Sequence, residues 1–229
     1  MIITAKFPGG LRWRMTPEGV ELEGRGFLAY SAKMLEATSA FFAQSADALA
    51  FASKEWEVPV ELLTACAMTQ SQGDPAKKFV WRSFGDFGDS STPQLIAAGA
   101  CRMRVSDVQS LMCDKTLDRF WLADVGNALR AAAAMIRSNY RCVEMSWDPV
   151  IVACAFNAGG LYEEKSPDNI WRLRQRAMLF GYPAVASEPA PDPNYAGEFS
   201  QYFAAAWALV KAGRLGEREF VRFTLPPLA

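Results

Sequence analysis

Histidine is absent from the 229-residue chain. That absence excludes a Ser-His-Asp triad, a Cys-His pair and every histidine metal ligand. Proton transfer, if the protein performs any, must rest on carboxylates, Lys, Tyr or Cys. An excess of either charge is missing too. The 24 Lys and Arg face 25 Asp and Glu, for a net charge of -1. So even a balance gives no whole-molecule attraction towards nucleic acid or anionic lipid, and neither is expected as a partner. CxxC pairs are lacking. The five cysteines, at 66, 101, 113, 142 and 154, are odd in number. Without paired short spacings or histidines, zinc is not expected, and buried free thiols in a reduced compartment are. No cofactor is implied.

Long apolar runs are missing as well. No uninterrupted stretch approaches the ~20 residues of a membrane helix, so no membrane span is expected. The opening MIITAKFPGG lacks a basic segment followed by an apolar one. The expectation is synthesis in the cytoplasm without a signal peptide, with delivery by other means if the protein works outside.

What is present suits a folded core: 51% of residues are hydrophobic and 21% charged. In residues 11–23, Leu11, Trp13 and Met15 alternate on one face. Val20 and Leu22 answer after a TPEG turn, which predicts a β-hairpin, the only β feature expected. From Phe27 to about Trp56 the apolar residues Leu28, Met34, Leu35, Phe41, Phe42 and Leu49 recur at helical spacing. A second helix opens at Val58-Pro59 and stops near Gly73 and Pro75. Residues 72–92 are irregular, with Phe79, Trp81 and Phe84 among glycines and aspartates. A helical patch is expected from Thr92-Pro93, a helix over 107–113 capped by Ser106, and a long Ala-rich helix over 117–139. The run 149–156 predicts a helix buried on all sides, and 168–180 an amphipathic basic one. Residues 187–194 hold three prolines, which predicts a turn. A last helix follows over 195–213, and the tail packs as an extended strap or frays. The sum is a mainly α chain. Residues 1–25 form a small N-terminal β-hairpin extension, 26–215 the helical domain and 216–229 the tail.

Three segments are polar where buried helices stop: 69–73 (TQSQG), 98–102 (AGACR) and 156–160 (FNAGG). Helix ends rich in small and amide residues can floor a cleft. An ordinary C-cap at Asn157 and Gly159, and an ordinary surface amide at Gln70, account for the same pattern.

The stretches that hold these segments share a further property. Residues 58–75 read VPVELLTACAMTQSQGDP, 92–102 TPQLIAAGACR, 148–160 DPVIVACAFNAGG and 169–175 NIWRLRQ. In this order they resemble the motifs of the lysozyme-like superfamily, the soluble lytic transglycosylases and goose-type lysozymes, in its phage-encoded branch. That family reads roughly VPxELLxAxxxxESGG, TPxxxSxGLMQ, DPxxxxAAYNAGG and NRWxLRQ. The resemblance covers roughly residues 55–180. It implies a lysozyme-like helical fold and a peptidoglycan-processing activity. In that activity one Glu protonates the bond between N-acetylmuramic acid and N-acetylglucosamine, then takes the proton of the muramic 6-hydroxyl. An apolar cleft can raise a carboxyl pKa enough for both roles.

The resemblance places Gln70 at the acid position. It places Ser71, Trp81, Gly99, Arg102, Phe156, Asn157 and Gly159 at substrate-binding positions. A carboxamide has no titrating proton to deliver, and loss of a general acid costs ~10²–10⁴ in rate. Arg102 stands for the family's Gln and Phe156 for its Tyr. Departures in three motifs point to a naturally degenerate site rather than one engineered change. Asp74, Asp86 and Asp89 are either substitute carboxylates or plain loop residues. Glu61 lies nine residues before Gln70, about 13 Å along a helix, too far to share its role. Arg172, Arg174 and Arg176 beside Trp171 either meet muramyl carboxylates or form a solvated face. The implied partners are peptidoglycan glycan strands and, for a non-catalytic descendant, the proteins of a phage tail, a phage-like particle or a contractile injection machine. The implied place of action is the bacterial cell wall or such a particle.

Overall fold

The computed structural model describes residues 3–6, 12–16, 18–22, 26–71, 73, 97–143, 152, 156 and 195–224. Over these residues the chain is mainly helical, with a small antiparallel sheet. The sheet is a meander of β1 (Ile3–Lys6), β2 (Arg12–Thr16), β3 (Gly19–Leu22) and β4 (Gly26–Ala29), paired in chain order. The expected hairpin is β2–β3, with Met15 opposite Val20 and Thr16 opposite Gly19. It is not the whole β region, because β1 and β4 flank it.

β4 corrects the expected helix start at Phe27. Leu28 sits at helical distance from Met34 and Leu35, but it belongs to a strand that packs against the last helix. A Cβ on Gly197 would lie 3.3 Å from Leu28 Cδ1, and Gln201 Nε2 donates to the Ala29 carbonyl at 2.6 Å. Gly19 is required where β3 meets β4, since an added Cβ would come within 2.4 Å of the Leu28 carbonyl oxygen. Helix α1 (Ala32–Trp56) starts only after Ser31, whose Oγ accepts from the Met34 N–H at 3.2 Å.

Helix α2 (Val60–Gln70) is the centre of the fold, and every residue from Val60 to Thr69 is buried. Pro59 precedes it at the N-cap. Its hydroxyls stay inside the helix: Thr64 Oγ1 donates to Val60 O and Thr69 Oγ1 to Ala65 O, both at 2.7 Å. Beyond it the chain forms β5 (Ala97–Ala98), a turn and β6 (Met103–Arg104), with Ala98 opposite Met103. Ala97–Ala98 is therefore strand, not a continuation of the expected helical patch; residues 92–96 lie outside the described residues.

α3 (Val105–Leu111) leaves β6 directly, with Arg104 at its N-cap. Ser106 is thus inside the first turn and is not the cap. The expected helix over 117–139 is two helices, α4 (Arg119–Ala123) and α5 (Val125–Val143). Asp124 separates them in extended conformation (φ -72, ψ 132), and Asn127 N donates to its Oδ1 at 2.9 Å. Asp118 caps α4 in the same way, accepting from Trp121 N at 2.8 Å.

α6 (Tyr195–Lys211) packs along α2 and α1 and against β2, β3 and β4, while α5 lies on α1 and α2. Glu55 and Arg130 join α1 to α5 through two bonds of 2.7 Å. Val152 and Phe156 are helical and buried in the same core, which is all that is described of the 149–156 run. Residues 168–180 and 187–194 lie outside the described residues.

The C-terminal segment runs as a strap across the start of α2. Val60 N donates to Val221 O at 2.9 Å, and Val221 N to Ser53 Oγ at 3.0 Å. Phe223 packs edge-on against Phe203 at 5.0 Å and Trp207 at 5.8 Å. Phe223 N donates to Glu61 Oε2 at 2.9 Å, beneath which the carboxyl is 1% exposed.

Burial raises the Glu61 pKa from 4.5 to about 7, against the pull of its backbone hydrogen bonds and of Arg222. The native carboxyl thus holds its proton where the unfolded one has lost it. Its contribution to stability is fully present below pH 4.5 and is lost as pH climbs to about 7. The loss is about 3 kcal/mol. Denaturant melts from pH 4 to 8 are expected to show this decline in the wild type. Glu61→Gln, which keeps the acceptor for Phe223, is expected to flatten it.

Candidate functional site

The end of α2 forms a tight, internally bonded turn. Ser71 N donates to Ala67 O at 3.0 Å, and Gly73 N to Met68 O at 2.7 Å. Gly73 adopts φ +82, in the left-handed region that glycine reaches without strain. Gln70 is the last residue of the helix and is half-buried. Ser71 is buried, and its hydroxyl donates to Met68 O at 3.2 Å, so its proton is directed into the helix end.

The turn between β5 and β6 is buried in the same core as this helix. Cys66 and Cys101 are both fully buried, and burial first, with Cys101 second, pushes the Cys66 thiol well above its ordinary range. Cys66 is one helical turn before Gln70. Gly99 has φ +75, and a Cβ there would fall 2.2 Å from Leu122 O and 3.2 Å from Ala128 Cβ. Only glycine lets this turn seat on α4 and α5. Arg102, also left-handed at φ 48, closes the turn by donating its N–H to Gly99 O at 3.1 Å. Its side chain is half-buried.

Gln70 and Ser71 thus stand at the end of α2, and Gly99 and Arg102 in the β5–β6 turn, two of the three polar segments. Phe156 is buried in the same core. Trp81, Asn157 and Gly159 lie outside the described residues, as do Phe79, Phe84, Asp74, Asp86, Asp89 and residues 169–176. Glu61 is in the first turn of α2 and Gln70 at its other end.

Sequence reading missed a contribution from α6. An added Cβ on Gly73 would meet Tyr202 Oη at 2.3 Å, so this phenol reaches the turn after Gln70. Burial first, and the charge of Glu198 second, push Tyr202 up to about 12. It is a neutral hydroxyl at any working pH. Glu198 lies one helical turn ahead of Tyr202, and its charge acts on the phenol. The local signal was available: a Glu and a Tyr four apart in a helix rich in apolar residues.

Chemically, the described part of the site offers an amide at Gln70, a neutral phenol at Tyr202 and a nearby carboxyl at Glu198. An amide and a phenol can orient a polar ligand by hydrogen bonds, but neither exchanges a proton readily near neutral pH. Among the described residues no cluster of three or more Cys, Asp or Glu is placed to hold a metal ion. No described helix is long and apolar enough to cross a membrane. No protein-family model, curated protein or solved structure matches the chain.

The Gly99 contacts make a direct test of the turn. Gly99→Ala sets a Cβ into the Leu122 carbonyl and strains a left-handed φ. It is expected to cost at least ~2 kcal/mol, a fall in Tm of roughly 5 °C or more in thermal denaturation followed by circular dichroism.

Proposed function

We propose that the chain is a lysozyme-like, lytic transglycosylase-related protein that binds peptidoglycan glycan strands and, with Gln70 at the acid position, does not cleave them. The observation that carries this reading is Gln70 itself. It ends a helix with no exposed turn, at the point where the resemblance calls for the proton donor. Two features support it further. The turn carrying Gly99 and Arg102 shares the buried core with that helix, as a site built from the first two motifs would need. Four motif stretches also follow one another in family order over residues 58–175.

A second reading has its own support. The sheet of β1 to β4 precedes the motif-bearing region and packs on α6 through β2, β3 and β4. A sheet added in this way suits a non-catalytic structural component of a phage tail, phage-like particle or contractile injection machine.

Purified sacculi separate these readings. The wild-type protein is expected to pellet with them and to release no soluble muropeptides. Gln70→Glu is expected to release anhydro-muropeptides, detected by chromatography and mass spectrometry. Release by the wild type would show that Gln70 is not disabling. Failure of the folded wild type to pellet would remove the glycan reading and leave the structural one.

A further inference from the structure

A surface segment covers a buried carboxyl. Between Gly216 and Thr224 only Phe223 is buried. Three hydrogen bonds of its backbone hold this strap to the start of α2 and the end of α1. Val60 N donates to Val221 O at 2.9 Å, Val221 N to Ser53 Oγ at 3.0 Å and Phe223 N to Glu61 Oε2 at 2.9 Å. Two ion pairs flank them, Lys54 with Glu219 and Arg218 with Asp47, and both stand in solvent, where such pairs hold little. The strap leaves α6 through Gly213 and Gly216, left-handed at φ +72 and +65. An added Cβ on Gly213 would have no neighbour within 4 Å, and one on Gly216 only the end of the Arg218 side chain. The bend is therefore a pivot that does not lean on the core.

We infer that residues 217–224 are a pH-operated latch, closed over Glu61 while its carboxyl is protonated and lifted from α2, with the helices in place, when the carboxyl ionises. Glu61 is 1% exposed, and the strap N–H of Phe223 touches its oxygen. Lifting this one surface segment is the least costly way for water to reach the carboxylate, because the other elements around α2 are packed helices. A carboxylate shut away from water costs far more than a neutral carboxyl. Once the strap is lifted, the charge is hydrated and stands in the first turn of α2, where the helix dipole favours it. The Val60 N–H, released from Val221, meets the same water.

The charges on the packed elements leave Glu61 in control. On the strap, Arg222 acts on Glu61 and opposes its burial, while Glu217 and Glu219 are exposed. From α1, Lys54, Glu55 and Glu57 pair with Glu219, Arg130 and Arg137, the last two from α5. From α6, Glu198 acts on Tyr202, and Lys211 lies over the Trp207 ring at 4.8 Å. In the closed latch burial raises the Glu61 pKa from 4.5 to about 7, whereas a lifted strap returns it to the ordinary value. The closed form thus binds the proton more tightly, and opening becomes easier as pH rises from 4.5 to about 7. Across that window the opening constant grows about tenfold per pH unit, then levels off.

The test is amide hydrogen exchange of the full chain at pH 5 and pH 8, read by mass spectrometry and divided by the intrinsic exchange rate at each pH. The Val221 and Phe223 amides are expected to exchange about 70-fold faster at pH 8 after that correction. At both pH values they are expected to exchange faster than the amides of α5, which open only with the whole fold. Glu61→Gln keeps an acceptor for Phe223 without a titrating proton, and is expected to leave strap exchange independent of pH. Phe223→Ala, which removes the seat on Phe203 and Trp207, is expected to speed strap exchange at pH 5 while α5 stays protected. Corrected strap rates equal at the two pH values in the wild type would overturn the inference. So would strap and α5 amides exchanging at one common rate, or a pH dependence that survives in Glu61→Gln. None of these readouts involves glycan binding.

Discussion

From Val60 to Thr69, α2 has no face in water, so each polar group it carries has to be satisfied by protein. Buried hydroxyls or amides without partners cost one to a few kcal/mol each. The helix meets the demand in three ways. Thr64 and Thr69 return their hydroxyl protons to carbonyls one turn earlier. The first N–H groups, which no helix can bond internally, find an outside acceptor where Val60 donates to Val221. At the other end, the carbonyls of Ala67 and Met68 are taken up by Ser71 and Gly73. The strap, the terminal turn and the surrounding helices all exist in relation to this one requirement.

Glu61 is the exception that reveals how the requirement is enforced. It lies in the first turn, where a negative charge would suit the helix dipole, yet burial raises its pKa to about 7, so that it keeps its proton through the acidic range. It accepts from the Phe223 N–H of the strap. The residue thus works as an acceptor that anchors the C-terminal segment, and Phe223 of that segment packs edge-on against Phe203 and Trp207. The end of α2 away from Gln70 is fixed by polar clamps, while the end at Gln70 is fixed by a glycine turn and a phenol.

How much of this the sequence disclosed depends on how local the cause was. The limits of α2 were legible because Pro59 and Gly73 act on their own neighbours. The hairpin β2–β3 was legible for the same reason. β4 was not, because Leu28 fits a helical spacing equally well, and what makes it strand is pairing with β3 and contact with α6. The break at Asp124 was hidden in a run of good helix formers, although Asp before Val-Gly is a serviceable cap. Tyr202 and Glu198 reach the candidate site from a helix some 130 residues downstream. Spacing cannot report contacts of that kind. The resemblance pointed to Gln70, Gly99 and Arg102, and those residues sit at the end of α2 and in the β5–β6 turn.

The position of α6 has a consequence for how the molecule is assembled. This helix covers α2 and also supports the sheet formed by β1 to β4, so the first strands of the chain rest on one of its last helices. During synthesis the strands and α1 emerge long before their platform exists. The early apolar surface stays uncovered until residues 195–224 leave the ribosome. Such dependence between distant segments raises contact order, slows folding and lengthens exposure to aggregation. The chain is therefore expected to close its core late and in one step, with the strap as the final piece to settle.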